Sequence, residues 1–348
     1  MPTPEFDEFL SNIMGMRVPI DICSCAGCAQ SVGKPDKERQ AVHDEETRAR
    51  CAYLLRLYGW SLSGDVSEQV LPILHGDGGN GKSLLNDLLA QDIYGLTPRG
   101  YACVLPIEAL LSSRGERHPT ELSDLFRVRL ALAREPDEGV RWDEGKVKLL
   151  TASDPIVARR MRQDFFTFQP THHLIPFGNS RPVLRGGDQM AWKRRVHLIE
   201  FPQHFADEPD PSGNILKADK QLRQKLRAEA PGILQKLIRA CLEYQKIGGL
   251  NAPETVKVAS AEYLRQQNGV GRFIDEFCDR SDPHAETTVQ DLWRAFDAWA
   301  TSNKEFSGIR RDFNDKLERQ GIKIVRLGTR RGVCRGIRLM ATEADLGR

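Results

Sequence analysis

Residues 76–83 read Gly76-Asp77-Gly78-Gly79-Asn80-Gly81-Lys82-Ser83. Glycines at this spacing let successive backbone N–H groups turn inward as a nest for an anion. A lysine straight after the nest neutralises the β- and γ-phosphates of a nucleoside triphosphate, and the next hydroxyl ligates magnesium. The run predicts a site for ATP and Mg2+ built from Gly76 to Ser83, with Leu84 behind it. Binding a nucleotide does not by itself name the work done with it.

Four more residues could take part in hydrolysis. Glu135 follows the apolar run 128–133. At the C-terminal edge of a parallel sheet, a carboxylate there faces the phosphates and can polarise the attacking water or hold the metal. Arg134 stands where a first acid is expected, so the metal-ligand role of Glu135 beside Ser83 stays open. Asn179 follows a second apolar run, 173–177; an amide there orients the water or senses the γ-phosphate, and read alone it is equally a turn residue. Arg194 and Arg195 precede a third run, 196–201. An arginine from a neighbouring subunit stabilises charge on a transferring phosphoryl group, and read alone the two are an exposed basic pair.

A different chemistry is offered by Cys23, Cys25 and Cys28, with His43 or Cys51 as a fourth group. Thiolates this close can hold zinc. Paired Cys-x-x-Cys knuckles are missing, so reduced, inert thiols are the other reading.

These residues need elements to carry them. Residues 70–75 read as a strand, 82–90 as the helix after it, and 128–133, 173–177 and 196–201 as further buried strands. Short apolar runs alternating with helical stretches imply an α/β domain over residues 66–250, closed by helices over 218–245 that Pro231 divides. Ahead of it, residues 1–65 are helical in pattern, with a polar, irregular insertion over 17–47. Behind it, residues 251–348 read as three helices and a hairpin over 322–339, the outline of a winged helix.

Composition sets outer limits. With 40% hydrophobic and 28% charged residues the chain is an ordinary globular protein, and a net charge of +2 excludes a histone-like polycation. Basic residues nevertheless gather between Arg310 and Arg338, which reads as a polyanion contact or a solvated face. No apolar run is long enough to span a membrane and the N-terminus is not a signal peptide, so a cytoplasmic protein is expected.

In order and spacing, the segments HGDGGNGKS, AREPDEG, KVKLLTASDPIVARRM, FTFQPTHHLIPFGNSRP and WKRRVHLIEF resemble the superfamily 3 helicases, in particular the helicase part of phage and plasmid primase-helicases of the poxvirus type. The resemblance implies a P-loop, AAA+-like α/β core with an N-terminal helical, collar-like segment and a C-terminal winged helix. It implies a replicative DNA helicase acting as a hexameric ring on single-stranded or forked DNA, with 3′-to-5′ polarity, in the cytoplasm of a bacterial host. It assigns phosphate and magnesium roles to Lys82 and Ser83, the acidic role to Glu135, the sensor role to Asn179, and the trans-acting finger to Arg195 or else Arg194. It matches Asp154–Phe168 to a pore hairpin, whose tip residues Arg159, Arg160, Arg162 and Gln163 would track the DNA backbone. The Cys-containing insertion is not a feature of that family. No room is left upstream for a primase, so priming is expected from a separate primase or replication initiator.

Overall fold

The structure, a computed structural model, describes residues 1–21, 23, 26–111, 120–134, 141–185, 189–210, 213–303, 308–327 and 330–340. Helix α1 (Pro4–Ile13) opens the chain, with its proline in the first turn where no N–H is needed. One short turn, α2 (Ala26–Gln30), precedes the long helix α3 (Asp36–Ser63), which stops at a left-handed Gly64. Strand β1 (Leu71–His75) then leads through the glycine loop into α4 (Lys82–Leu88), which runs on as a π-turn over Leu89–Tyr94.

The elements that follow are β2 (Ala102–Val104), β3 (Leu130–Arg134), β4 (Arg141–Asp143), α5 (Glu144–Thr151), β5 (Ile156–Arg159), β6 (Phe165–Phe168), β7 (His173–Gly178), β8 (Val183–Arg185), α6 (Gln189–Arg195) and β9 (Val196–Glu200). Strands β10 (His204–Ala206) and β11 (Ile215–Lys217) pair, and α7 (Leu222–Ala228), α8 (Ala230–Ile247) and α9 (Glu254–Gln267) follow. The helix break falls at Glu229, so Pro231 sits in the first turn of α8, where a proline is tolerated.

The main sheet has the order β2-β3-β7-β1-β9, and every pairing in it is parallel. Parallel strands covered on both faces read as continuous apolar runs, and β1, β3 and β7 are buried along almost their whole length. The chain steps out from β1, returns through β3 and β7, and then jumps across β1 to β9. That reversal opens a crevice at the C-terminal strand ends, where α/β sheets bind ligands. The result is a P-loop-like α/β core.

Two compact units divide the chain, Met1–Ala261 and Glu262–Arg348. The helical segment expected over 1–65 is not separate from the sheet. Phe6, Phe9 and Ile13 of α1 share one core with Leu74 of β1, Leu85 of α4 and Ile199 of β9. Gly59 of α3 lies against the α8 backbone, where an added Cβ would be 2.5 Å from the Leu237 carbonyl oxygen. The boundary expected after residue 250 falls later, within α9. The insertion is also less irregular than its sequence implies, because α3 begins at Asp36. Its first turns carry no apolar stripe, and charge pairs such as Arg48 with Asp44 and Glu45 lie on its outer face.

The second unit runs helix, strand, strand, helix, helix, strand, strand, strand. Its main elements are α10 (Gly269–Phe277), β12 (Cys278–Asp279), β13 (Glu286–Thr288), α11 (Val289–Ser302), α12 (Arg310–Arg319), β14 (Ile324–Leu327), β15 (Arg330–Arg335) and β16 (Arg338–Leu339). β13, β15 and β14 form an antiparallel sheet, and β12 pairs with β16. Phe273, Phe296, Trp299 and Phe313 stack at its centre. β13 was not expected; three residues are too few for a periodic signal. Of the turn expected over 328–332, Arg330, Arg331 and Gly332 belong to β15, and residues 328 and 329 lie outside the described residues.

Candidate nucleotide site

The loop between β1 and α4 is shaped by its glycines for two different reasons. Gly78 and Gly81 take φ of +96° and +82°, a region closed to most side chains. Gly76 has ordinary φ and is required instead by proximity. An added Cβ there would collide with the Asn80 side chain and lie 2.8 Å from the Phe201 carbonyl oxygen. The expectation that Gly76 serves for its backbone angle is thus corrected.

Lys82 is buried, and its Nζ donates to the Gly76 carbonyl oxygen at 2.6 Å, to Asn80 Oδ1 at 2.7 Å and to Asn179 Oδ1 at 3.3 Å. A phosphate oxygen entering the loop competes for the same ammonium. Asn80 is itself fixed by the Phe201 carbonyl, which its Nδ2 reaches at 3.5 Å. Asp77, Gly79 and Ser83 are exposed and Leu84 is half-buried. The Ser83 hydroxyl thus opens to solvent in the first turn of α4, where the unpaired N–H groups and helix dipole favour an anion.

The acidic side is partly visible. Glu135 lies outside the described residues. Arg134, just before it, ends β3 with its guanidinium 3.1 Å from Asp87 and over the Phe177 ring. Asp87 is one helical turn from Ser83 and so lies on the same face of α4. Asn179, directly after β7, comes to Lys82 because β7 is the neighbour of β1.

Arg195 requires a correction. It is buried, and its guanidinium donates to Thr151 Oγ1, the Ala191 carbonyl and Gln69 Oε1 at 3.2–3.3 Å. The guanidinium is thus turned into its own chain and not toward an open surface. Of the two candidates Arg194 is the exposed one.

Several contributors escaped the sequence reading. Phe9 and Ile13 of α1 back the loop, with Ile13 Cγ2 2.6 Å from a Cβ built on Gly81. The Phe205 N–H donates to the Gly79 carbonyl at 2.7 Å, so the segment after β9 straps the loop. Arg181, two residues past Asn179, pairs with Glu200 at 2.9 Å. Glu200 is the register partner of His75, whose pKa is lowered by burial and then by the Arg181 charge. Arg181 alone carried a signal, its place two residues past Asn179. Beneath the loop, Tyr58 of α3 donates to Asn86 Oδ1 at 2.7 Å, and Asn86 donates to the Lys82 carbonyl at 3.0 Å.

Residues 154–168 do form a hairpin, with Ile156–Arg159 antiparallel to Phe165–Phe168. Its base is packed by Phe126, Phe166 and Phe168. Arg159, Arg160, Arg162 and Gln163 are exposed at the tip, and Arg162 takes φ of +57°. Arg159 lies over the Phe165 ring and Arg160 over Phe166. A positive, aromatic-bearing tip suits a nucleic-acid strand.

No family model matches the sequence. The chain is 27% identical over 263 residues to L207/L206 of Acanthamoeba polyphaga mimivirus, covering 72% of this chain and 27% of that protein. It is 24% identical over 280 residues to 022R of Frog virus 3 (isolate Goorha), covering 77% and 28%. It is 25% identical over 287 residues to 184R of Invertebrate iridescent virus 6, covering 72% and 28%. All three are provisionally named helicases, and the chain spans less than a third of their length. Among solved structures, the apo C-terminal region of NrS-1 superimposes with a TM-score of 0.47 at 13% identity, over 93% of this chain and 67% of that one. By their names these three relatives belong to viruses of an amoeba, a frog and an invertebrate, so they lend the expected bacterial host no support. No helix among the described residues is long and apolar enough to cross a membrane.

Proposed function

We propose that the chain is the ATP-driven motor of a replicative DNA helicase of the superfamily 3 type, working as a ring on single-stranded or forked DNA. The observation that carries this reading is the meeting of Lys82 and Asn179 where β1 and β7 end side by side. It is supported by the arginine-tipped hairpin of the same unit and by the likeness to the three viral proteins.

In this reading Gly76–Ser83 cradle ATP, and Ser83 with Glu135 hold Mg2+, which neutralises charge on the phosphates. Lys82 balances the transferring phosphoryl group. Asn179, with its oxygen turned to Lys82, aims its amide N–H groups at the water or the γ-phosphate. Arg194 from the next subunit completes the site, and such head-to-tail contacts close into a ring, a hexamer by the resemblance. Hydrolysis shifts the hairpin, and Arg159, Arg160 and Arg162 carry the strand's phosphates with it, 3′-to-5′ by the same resemblance. The order of elements in the second unit favours a winged helix that holds duplex DNA or a replication partner.

Strand displacement on a forked duplex tests the proposal. Wild type should unwind, and Lys82→Ala should not. Unwinding that survives Lys82→Ala sinks the motor. An ATPase rate indifferent to single-stranded DNA favours a ring ATPase that remodels other replication proteins. Tight, sequence-selective duplex binding without unwinding favours an ATP-gated regulator.

A further inference from the structure

Between residues 19 and 49, the buried side chains among those described are Cys28, Ser31, His43 and Thr47. None is large and apolar. Among its described residues the stretch has no hydrophobic core of its own, and a segment that folds back in this way needs another source of folding energy. Cys23, Cys28 and His43 offer one. Their ligand atoms all lie within 4.8 Å of one another, although Cys28 and His43 are fifteen residues apart on different helices.

The imidazole is held in the tautomer a metal needs. His43 Nε2 is 2.9 Å from the Gly15 carbonyl oxygen, which can only accept, so Nε2 carries the proton. In the neutral ring the lone pair is then on Nδ1, and Nδ1 faces Cys28 Sγ at 3.4 Å. A histidine with one nitrogen fixed by a backbone carbonyl and the other turned to thiols is the usual arrangement of a metal ligand and its outer partner. Cys51, the other candidate from the sequence, does not join the cluster. Its thiol turns to the Leu10 carbonyl, and burial raises its pKa to about 11.

We propose that Cys23, Cys28 and His43 form a structural zinc site. Two thiolates and an imidazole suit zinc, which is tetrahedral in such sites. Binding releases one proton from each thiol, while the histidine supplies the Nδ1 lone pair. The fourth position takes water or a further thiolate; Cys25, the third thiol expected from the sequence, lies outside the described residues. The site ties the loop after Gly15 to α3. Gly15 follows α1, whose Phe9 and Ile13 back the nucleotide loop at Gly81. The metal therefore secures the N-terminal support of the P-loop without touching the nucleotide.

Metal analysis of the purified full chain decides this. Wild type should keep about one zinc per chain through dialysis, and cobalt in its place should give the absorption of a tetrahedral thiolate site. Cys28→Ser and His43→Gln should each weaken zinc binding at least tenfold, measured by competition with a chromophoric chelator. Because either variant could fail to fold, cobalt titration of reduced wild type stands as an independent test. Reduced wild type that binds neither metal overturns the proposal, as does a Cys23–Cys28 disulfide in the freshly purified chain. Lys82→Ala should retain its zinc, so the site and the motor reading stand or fall separately.

Discussion

Lys82 Nζ lies 3.3 Å from Asn179 Oδ1, joining two residues 97 positions apart across the ends of adjacent strands. Because the ammonium can only donate, the amide oxygen is the atom turned to it, and Nδ2 is left for a ligand. Lys82 keeps two other acceptors, Gly76 and Asn80, without Asn179. Asn179→Ala should therefore lower kcat for ATP hydrolysis by about 10²–10³, the usual cost of one preorganised donor. Nucleotide affinity should change less than about tenfold. Steady-state ATPase rates beside fluorescent-nucleotide titration check this split, and an equal loss in both would refute it.

Arg194 and Arg195 should separate by readout. Arg195→Ala removes a buried guanidinium and takes the donor from Gln69 Oε1, while the Thr151 hydroxyl keeps its bond to the Val147 carbonyl, so it should cost about 1–3 kcal/mol of stability. Arg194→Ala should leave the urea midpoint in place and cut ATPase activity about 10³-fold or more. Mixing Arg194→Ala with Lys82→Ala subunits should recover part of the activity if the finger acts between subunits. Full ATPase activity of Arg194→Ala alone would remove it from the site.

The crossing of α3 and α8 makes a prediction whose sign is informative. Helix propensity alone says Gly59→Ala stabilises by about 1 kcal/mol. The Cβ, however, would lie 2.5 Å from the Leu237 carbonyl and 2.7 Å from the Cys241 nitrogen, both backbone atoms that no side-chain rotation can move. The helices must separate, and a net loss of about 1–3 kcal/mol is expected. Thermal or urea unfolding measures it; a stabilised variant would mean that α3 and α8 are less closely packed than described.

Acid should weaken the first unit. Burial holds His172, His173 and His197 at a pKa of about 4. Exposed histidine titrates near 6.5, so between about 4 and 6.5 the unfolded chain binds protons that the folded chain refuses. Stability then rises with pH across that window and is fully present above about 6.5. Moving down to pH 4 should cost on the order of 3 kcal/mol per histidine, with no more from these groups below it. Urea midpoints measured from about pH 7 to pH 4 test this, and His197→Gln should flatten the curve.

Charge at the hairpin tip can be removed without strain at one position. Glycine accepts the +57° φ of Arg162, so Arg162→Gly isolates the loss of charge. If this guanidinium meets a phosphate, the slope of log affinity for single-stranded DNA against log salt should shrink by about 0.7. Arg160→Ala should act alike. An unchanged slope in both variants would take the tip off the DNA.

Much of the core was legible because its signals are local. Val70–Ser83 announces strand, nest and helix within one short run, and buried parallel strands must be apolar throughout. The hairpin was expected only through the resemblance; the alternation that makes it, Ile156 and Ala158 buried against Val157 and Arg159 exposed, is too short to read as a strand by itself. The first half of α3 was not, because a helix that buries His43 and Thr47 in place of leucines leaves no hydrophobic period to read.

By itself, the sequence supplied the order of glycines, Lys82 and Ser83 that suits a triphosphate, between a buried strand and a helix. Only the tertiary structure decided what surrounds it. Strand order, which no local pattern encodes, set β7 beside β1 and so brought Asn179 to Lys82. Long-range packing turned Arg195 inward and left Arg194 outside, though neighbours in sequence look interchangeable. It also closed α1 against Gly81 and drew His43 to Cys28, contacts made by residues whose partners lie on other elements.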